Sequence, residues 1–359
     1  MIHDQFKAQH TTDLIEKGAI AAQAPSNIAL VKYWGKYGQQ LPKNTSISFT
    51  LSNCKTTTTL EFERKNTSGF DFKVYLDKQR EVSFEPKIAA FFERILPYCP
   101  YLEAYSFAIK THNSFPHSSG IASSASGMSA LATCLVQLER QSSTVDMTQE
   151  DAVKKASFLS RLGSGSAGRS LEGPIVVWGE HSDIAGSSNL FGTLLKNKIH
   201  PIFKDYCDTI LLVDKGQKQV SSTVGHGLMH GHLFAQVRFE QANENIGKIL
   251  KVLSVGDQAG FIEIVESEAL SLHAMMMTSL PYFILFKPNT LKIIEAIWQF
   301  RKETGTAVCF TLDAGANVHV LYAKSDSEAV QKFITKELST YCQNGQFIHD
   351  QTGMGASLI

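Results

Sequence analysis

The sequence predicts a mixed α+β protein built from two domains. Strand-like apolar runs and stretches with three- and four-residue helical spacing alternate along the whole chain, and no unit of the sequence repeats. At 359 residues the chain is longer than a single core usually covers. The pattern shifts toward long helices between about 190 and 205, so residues 1–195 and 196–359 are read as separate domains.

Residues 24–52, APSNIALVKYWGKYGQQLPKNTSISFTLS, read as a strand, a loop and a second strand, with ISFTL as a half-buried run between turn residues. Further strands are expected at 56–63 and 105–111. Met128, Leu131, Ala132, Leu135 and Leu138 recur at helical spacing, so a helix begins at or just after Ser123-Ser124. A short helix over 151–162 stops at Gly163, and IVVW at 175–178 is a buried strand. TILLVD (209–214) opens the second half as a strand, and helices follow at 234–255 and 257–277. PYFILF (281–286) adds apolar residues before a helix over 290–303, capped by Asn289 or Thr290 and ended by Gly305. TAVCFTLD and NVHVLYA form a hairpin around Ala314-Gly315-Ala316, and a last helix covers 327–338.

Formal net charge is zero, which excludes the broad basic footprint of a nucleic-acid binder. The first twenty residues carry Asp4, Lys7, Asp13, Glu16 and Lys17 and no long apolar run, so neither a signal peptide nor a membrane anchor is expected, and the cytosol is the expected location. Six cysteines without a C-x-x-C pair read as reduced thiols, mostly small core residues.

Four segments carry chemistry. PHSSGIASSASG (116–127) combines a tight glycine turn, small side chains and a helix start, which together present backbone N–H groups, a positive dipole end and hydroxyls to a polyphosphate. An ordinary serine cap is the competing reading. SRLGSGSAGRSLEG (160–173) sets Ser164 and Ser166 on a flexible backbone beside the planar fork of Arg169, or is a glycine-rich turn with a surface arginine. LDAGAN (312–317) ends a strand in Asp313, either a carboxylate facing a substrate hydroxyl or a turn-forming residue. NIALVKYWGK (27–36) offers Lys32 and Lys36 around Tyr33 and Trp34 to an anion, or forms a solvated loop with an aromatic anchor. The tract of His226, His230 and His232 lacks a neighbouring cysteine or acidic ligand, and loop or cap histidines are expected rather than a metal site.

Together, and in their order along the chain, the four segments resemble the GHMP kinase superfamily and, within it, the mevalonate diphosphate decarboxylases; VSSTVG (220–225) and LHAMMM (272–277) have counterparts there too. The resemblance implies an N-terminal domain like the second domain of ribosomal protein S5, a ferredoxin-like C-terminal domain, and an active site between them. It implies ATP-dependent decarboxylation of mevalonate 5-diphosphate to isopentenyl diphosphate in isoprenoid biosynthesis, with magnesium, and a homodimer acting on small molecules, with no nucleic-acid or membrane partner.

By motif match, Asp313, Lys32 and Arg169 would be catalytic, with Arg169 on the substrate carboxylate. Asn27, Tyr33, Lys36, Ser164, Ser166 and Ser222 would bind substrate. Ser118, Ser119, Gly120, Ala122, Ser123 and Ser124 would bind ATP, with Ser123 or Ser124 reaching magnesium. The chain departs from the family at Tyr37-Gly38, Thr45, Gly168 and Ala316, and between 60 and 100, where relatives carry a further basic contact to the substrate phosphate, none aligns; Lys73 and Arg80 are the candidates named for it. A decarboxylase of mevalonate 5-phosphate, a GHMP kinase that stops after phosphoryl transfer, and a catalytically silent member of the fold are the alternatives.

Overall fold

The computed structural model describes residues 4–8, 14–116, 121–215 and 222–359, with the side chains of Ser222 and Thr223 left out. β1 (Lys17–Val31) runs into a small hairpin of β2 (Lys36–Tyr37) and β3 (Leu41–Pro42) and returns antiparallel as β4 (Ser46–Arg64). β5 (Asp71–Leu76) and β6 (Gln79–Arg80) fold back on each other, and α1 (Glu85–Ile95) leads to β7 (Tyr105–Asn113). β7 lies parallel to β5, which a tight turn could not achieve, so α1 serves as the crossover. α2 (Ser123–Ser142), α3 (Gln149–Gly163), β8 (Ile175–Trp178) and β9 (Gly192–Leu194) complete this half, β8 pairing with the start of β4.

The second half begins with β10 (Cys207–Leu211) and the helices α4 (Ser222–Gly227), α5 (Ala235–Val255), α6 (Gln258–Met277) and α7 (Pro288–Thr304). α5 and α7 each end at a glycine with positive φ, Gly256 at 82° and Gly305 at 72°, the left-handed closure that residues with a Cβ adopt reluctantly. β11 (Val308–Thr311), β12 (Val318–Tyr322), α8 (Ser327–Lys336) and β13 (Phe347–Gln351) follow. The strand order β11-β12-β10-β13, taken with the helices after the first and third strands, is the βαββαβ arrangement of a ferredoxin-like domain. β14 (Ser357–Leu358) then returns to the first sheet and pairs with Ala22 and Gln23 of β1.

α2, α3, α5, α6, α7, α8 and the hairpin stand where the sequence predicts them, whereas α1 and α4 lie where it predicts no helix. The cap of α7 differs: Lys287 is the N-cap, Pro288 opens the helix, and Thr290 Oγ1 accepts the Lys287 N–H at 3.2 Å. The expected separation of 47–51 from 56–63 also fails, since both lie on β4. Ser52-Asn53 reads as a turn, but the Asp350 carboxylate from β13 accepts the amides of Ser52, Asn53 and Cys54 at 2.7–2.8 Å, so the strand continues through an irregularity.

One core lies between the first sheet and α1–α3, where Phe92 meets Phe70, Phe72, Phe91 and Phe107. Truncating such a ring to alanine costs about 3–5 kcal/mol. A second core joins the two halves: Ile28, Leu30, Ile47 and Phe49 of β1 and β4 pack with Ile246, Ile249, Phe261 and Val265 of α5 and α6. α7 and α8 close the outer face of the second sheet through Ile293, Ile297 and Phe333. All six cysteines are free and buried. Among the described residues no helix is long and apolar enough to cross a membrane.

Candidate functional site

The shared core determines where β1 ends. Leu30 and Val31 are wholly buried, and the chain leaves the strand carrying Lys32 between the two sheets, where the residue is 1% exposed. Its Nζ donates to the Ala29 carbonyl at 2.7 Å and meets Asp313 Oδ1 at 3.1 Å. Asp313 follows β11 in the loop 312–317, and 28% of its side chain remains exposed, so the carboxylate is within reach of solvent. Its backbone carbonyl accepts the Gly315 N–H at 2.7 Å and His273 Nε2–H at 3.2 Å, which fixes the loop. Burial alone would raise the Asp313 carboxyl, but Lys32, His319 and Arg169 outweigh it and hold the group below the usual carboxylate range. For Lys32, burial pulls the ammonium below the ordinary lysine value against the upward pull of Asp313 and Glu268.

Arg169 sits in the 3₁₀ turn Gly165–Ser170 and is 3% exposed. Its Nε donates to Asn27 Oδ1 at 3.3 Å and Nη1 to Ser46 Oγ, while Nη2 has no partner among the described residues. Burial brings the guanidinium down to about 10 against the pull of Asp313 and Tyr33. Asn27 ties this turn to β1, donating to Ser170 Oγ at 2.8 Å and to the Ser166 carbonyl at 3.3 Å. The Tyr33 hydroxyl is buried without a hydrogen-bond partner among the described residues. Its ring lies edge-on to Trp178 at 4.6 Å, and a Cβ placed on Gly165 would stand 2.9 Å from the hydroxyl. That glycine leaves the phenol room.

The N-cap of α2 is Ala122, whose φ of 48° is left-handed, and no side chain caps this end among the described residues. Ser124 Oγ lies 3.2 Å from Ser164 Oγ, so the helix start and the Gly/Ser turn form one surface. An uncapped helix start flanked by hydroxyls and small residues suits anionic phosphate. Ser118, Ser119 and Gly120 lie outside the described residues, as does the Ser222 side chain.

Lys36, on β2, donates to Gln40 Oε1 at 2.8 Å, and burial together with Arg94 lowers its ammonium. Lys73 and Arg80 belong instead to the β5–β6 edge of the first sheet, where Arg80 pairs with Glu85 at 3.1 Å. The cation brought toward Lys36 is Arg94, from the last turn of α1, which also donates to the Leu162 carbonyl at 2.9 Å. Sequence reasoning missed it because no motif surrounds Arg94, and a basic residue in EPKIAAFFERI gives no sign of what it faces.

The histidine tract is divided among separate contacts. His226 Nδ1 accepts the Gly35 N–H at 2.9 Å and its ring packs on Tyr33 and Trp34, while His232 Nε2 donates to the Met275 carbonyl at 3.1 Å. Burial, with Lys36 and Arg169 nearby, takes His226 down to about 3.

Residues 24–189 match the diphosphomevalonate decarboxylase-like N-terminal domain and residues 209–357 the mevalonate 5-diphosphate decarboxylase C-terminal domain. The diphosphomevalonate decarboxylase of Gibberella zeae is 30% identical over 325 residues, which make up 86% of this chain and 81% of the relative. Mevalonate diphosphate decarboxylase from Staphylococcus aureus superposes with a TM-score of 0.80 at 26% identity, covering 96% of this chain and 98% of that one. MDDEF, in complex with MVAPP, AMPPCP and magnesium, reaches 0.81 at 26% identity, covering 96% and 99%. Matched on both halves, in sequence and in fold, this chain belongs to the diphosphomevalonate decarboxylase family.

Proposed function

We propose that this site catalyses ATP-dependent decarboxylation of mevalonate 5-diphosphate to isopentenyl diphosphate, releasing ADP, phosphate and carbon dioxide. The observation that carries this reading is the Lys32–Asp313 ion pair beside a buried Arg169 whose Nη2 is left for a ligand. A related structure with MVAPP, AMPPCP and magnesium supports the substrate and the nucleotide.

A tertiary hydroxyl leaves poorly, so it is phosphorylated first. Asp313 accepts or orients the 3-hydroxyl proton, and Lys32 keeps the carboxylate ionised. Arg169 holds the substrate carboxylate in its fork. Tyr33, Lys36, Ser164 and Ser166 face the distal phosphates, with Arg94 adding charge beyond Lys36. Ser123 and Ser124 at the start of α2 hold the ATP phosphates, where a magnesium ion would neutralise charge on the transferring group. Loss of the new phosphate leaves positive charge at carbon 3, and the carbon–carboxylate bond then breaks and its electrons form the double bond. Positioning and charge neutralisation supply most of the acceleration. Buried, unpaired thiols agree with a reducing, cytosolic setting.

The test is incubation with ATP, magnesium and either mevalonate 5-diphosphate or mevalonate 5-phosphate, following ADP and carbon dioxide together. Equal release of both with the diphosphate is expected. ADP without carbon dioxide would leave only a kinase, and preference for the monophosphate would change the substrate.

A further inference from the structure

Lys32 is held at its backbone as firmly as at its ammonium. β1 ends with the pairing of Val31 and Ile47, so the Lys32 N–H has left the strand ladder. Glu268 on α6 accepts that N–H through Oε2 at 2.8 Å. Asn44 Nδ2 donates to the Lys32 carbonyl at 2.8 Å, so side chains fix the peptide groups on both sides. The Glu268 side chain is 0% exposed and also accepts from two guanidinium nitrogens of Arg238 and, at 2.7 Å, from Asn245 Nδ2, both on α5.

A buried charge pair of this kind is a poor device for stability, since well-packed apolar side chains of the same volume would join α5 to α6 as well or better. What apolar side chains could not do is accept a backbone N–H from the other half of the molecule. We infer that Glu268 is a positioning residue for the reacting centre: anchored by Arg238 and Asn245, it fixes the Lys32 backbone and thereby the reach of Lys32 Nζ to Asp313. The catalytic consequence rests on the proposed function, whereas the placement of Lys32 does not.

The charged and titratable groups around the Lys32 ammonium are Asp313 from the β11–β12 loop, Glu268 and His273 from α6, Arg169 from the 3₁₀ turn and Asp208 from β10. Burial and Arg169 disfavour the protonated amine, while Asp313 and Glu268 favour it. Removing the Glu268 charge therefore makes Lys32 easier to deprotonate.

The experiment compares the unsubstituted enzyme with Glu268→Leu and with the apolar pair Arg238→Met/Glu268→Leu, which remove the acceptor of the Lys32 N–H, the latter leaving no lone buried charge should the single variant fail to fold. In folded variants kcat is expected to fall about ten- to a hundredfold with the KM for ATP unchanged, and the alkaline limb of the kcat profile to move to lower pH. In protein labelled with carbon-13 at lysine, the Lys32 signal, assigned by its loss in Lys32→Met, should titrate at lower pH. An unchanged Lys32 titration, or unchanged kcat in a folded variant, overturns the inference. If the unsubstituted enzyme turns over neither phosphorylated acid, the proposed function fails, and the Lys32 titration still decides the role of Glu268.

Discussion

Lys32 and Asp313 stand 281 positions apart in the chain and meet at 3.1 Å, one from the end of the first long strand and the other from a loop of the second sheet. Neither half of the molecule contains the pair by itself. The Lys32 ammonium lies inside, at 1% exposure, while the Asp313 carboxylate is partly exposed, so the positive charge sits behind the carboxylate.

Asp313→Asn is expected to fold and bind an ATP analogue while losing about 10²–10⁴-fold in kcat. Isothermal titration with the analogue and steady-state assay of carbon dioxide check this, and near-normal turnover would remove Asp313 from the mechanism.

Lys32→Met should act on the pH profile as well as on the rate. Burial already favours the neutral Asp313 carboxyl, and Lys32 heads the groups that reverse this. With the ammonium gone the carboxyl gains affinity for protons. The acid limb of kcat then moves to higher pH; an acid limb that stays in place would show that another group sets it.

Arg169→Ala should raise the KM of the phosphorylated acid about 10- to 100-fold, the scale of a hydrogen bond to a charged group, and leave that of ATP alone. Initial rates with each substrate varied separately decide the matter. A defect confined to ATP would contradict the assignment of Arg169 to the carboxylate.

Tyr33→Phe separates a ligand role from a structural one. The hydroxyl is buried without a partner among the described residues, so removing it should leave the melting temperature unchanged or raise stability by up to about 1 kcal/mol. The KM for the diphosphate substrate should rise. Lost stability with unaltered KM would make Tyr33 a core residue only.

His226 and His273 are held down to about 3 and about 4, in both cases chiefly by burial, against an ordinary value of 6.5. Below that ordinary value the unfolded chain binds protons that the folded chain refuses, so stability falls with acidification until the folded groups titrate. Each histidine contributes a slope approaching about 1.4 kcal/mol per pH unit. Melting temperatures measured by calorimetry between about pH 7 and pH 5 should fall less steeply in His226→Gln than in the unsubstituted protein.

Where an element carries its own periodicity, the sequence discloses it. α2, α5 and α6 show the spacing of their buried residues, and the hairpin carrying Asp313 shows a small-residue turn between two apolar runs. Asp313 and Arg169 could be picked out because short motifs surround them. Arg94 and Asp350 could not. Arg94 gains meaning only from facing Lys36, and the Asp350 carboxylate completes β4 from almost 300 residues away, so local pattern at Ser52-Asn53 gives the wrong answer. Lys73 and Arg80, on the β5–β6 edge of the first sheet, show the same limit, since a basic residue shows its charge in the sequence but not the direction it faces.

The packing of β1 and β4 against α5 and α6 also limits how the protein can be divided. A fragment ending near Leu195 would expose Ile28, Leu30, Ile47 and Phe49 to water and would lack β14 at the sheet edge. A fragment beginning there would leave Ile246, Ile249, Phe261 and Val265 uncovered. Gene fusion or recombination at that connection therefore yields no transferable module, and the smallest heritable unit of this active site is the whole two-sheet chain.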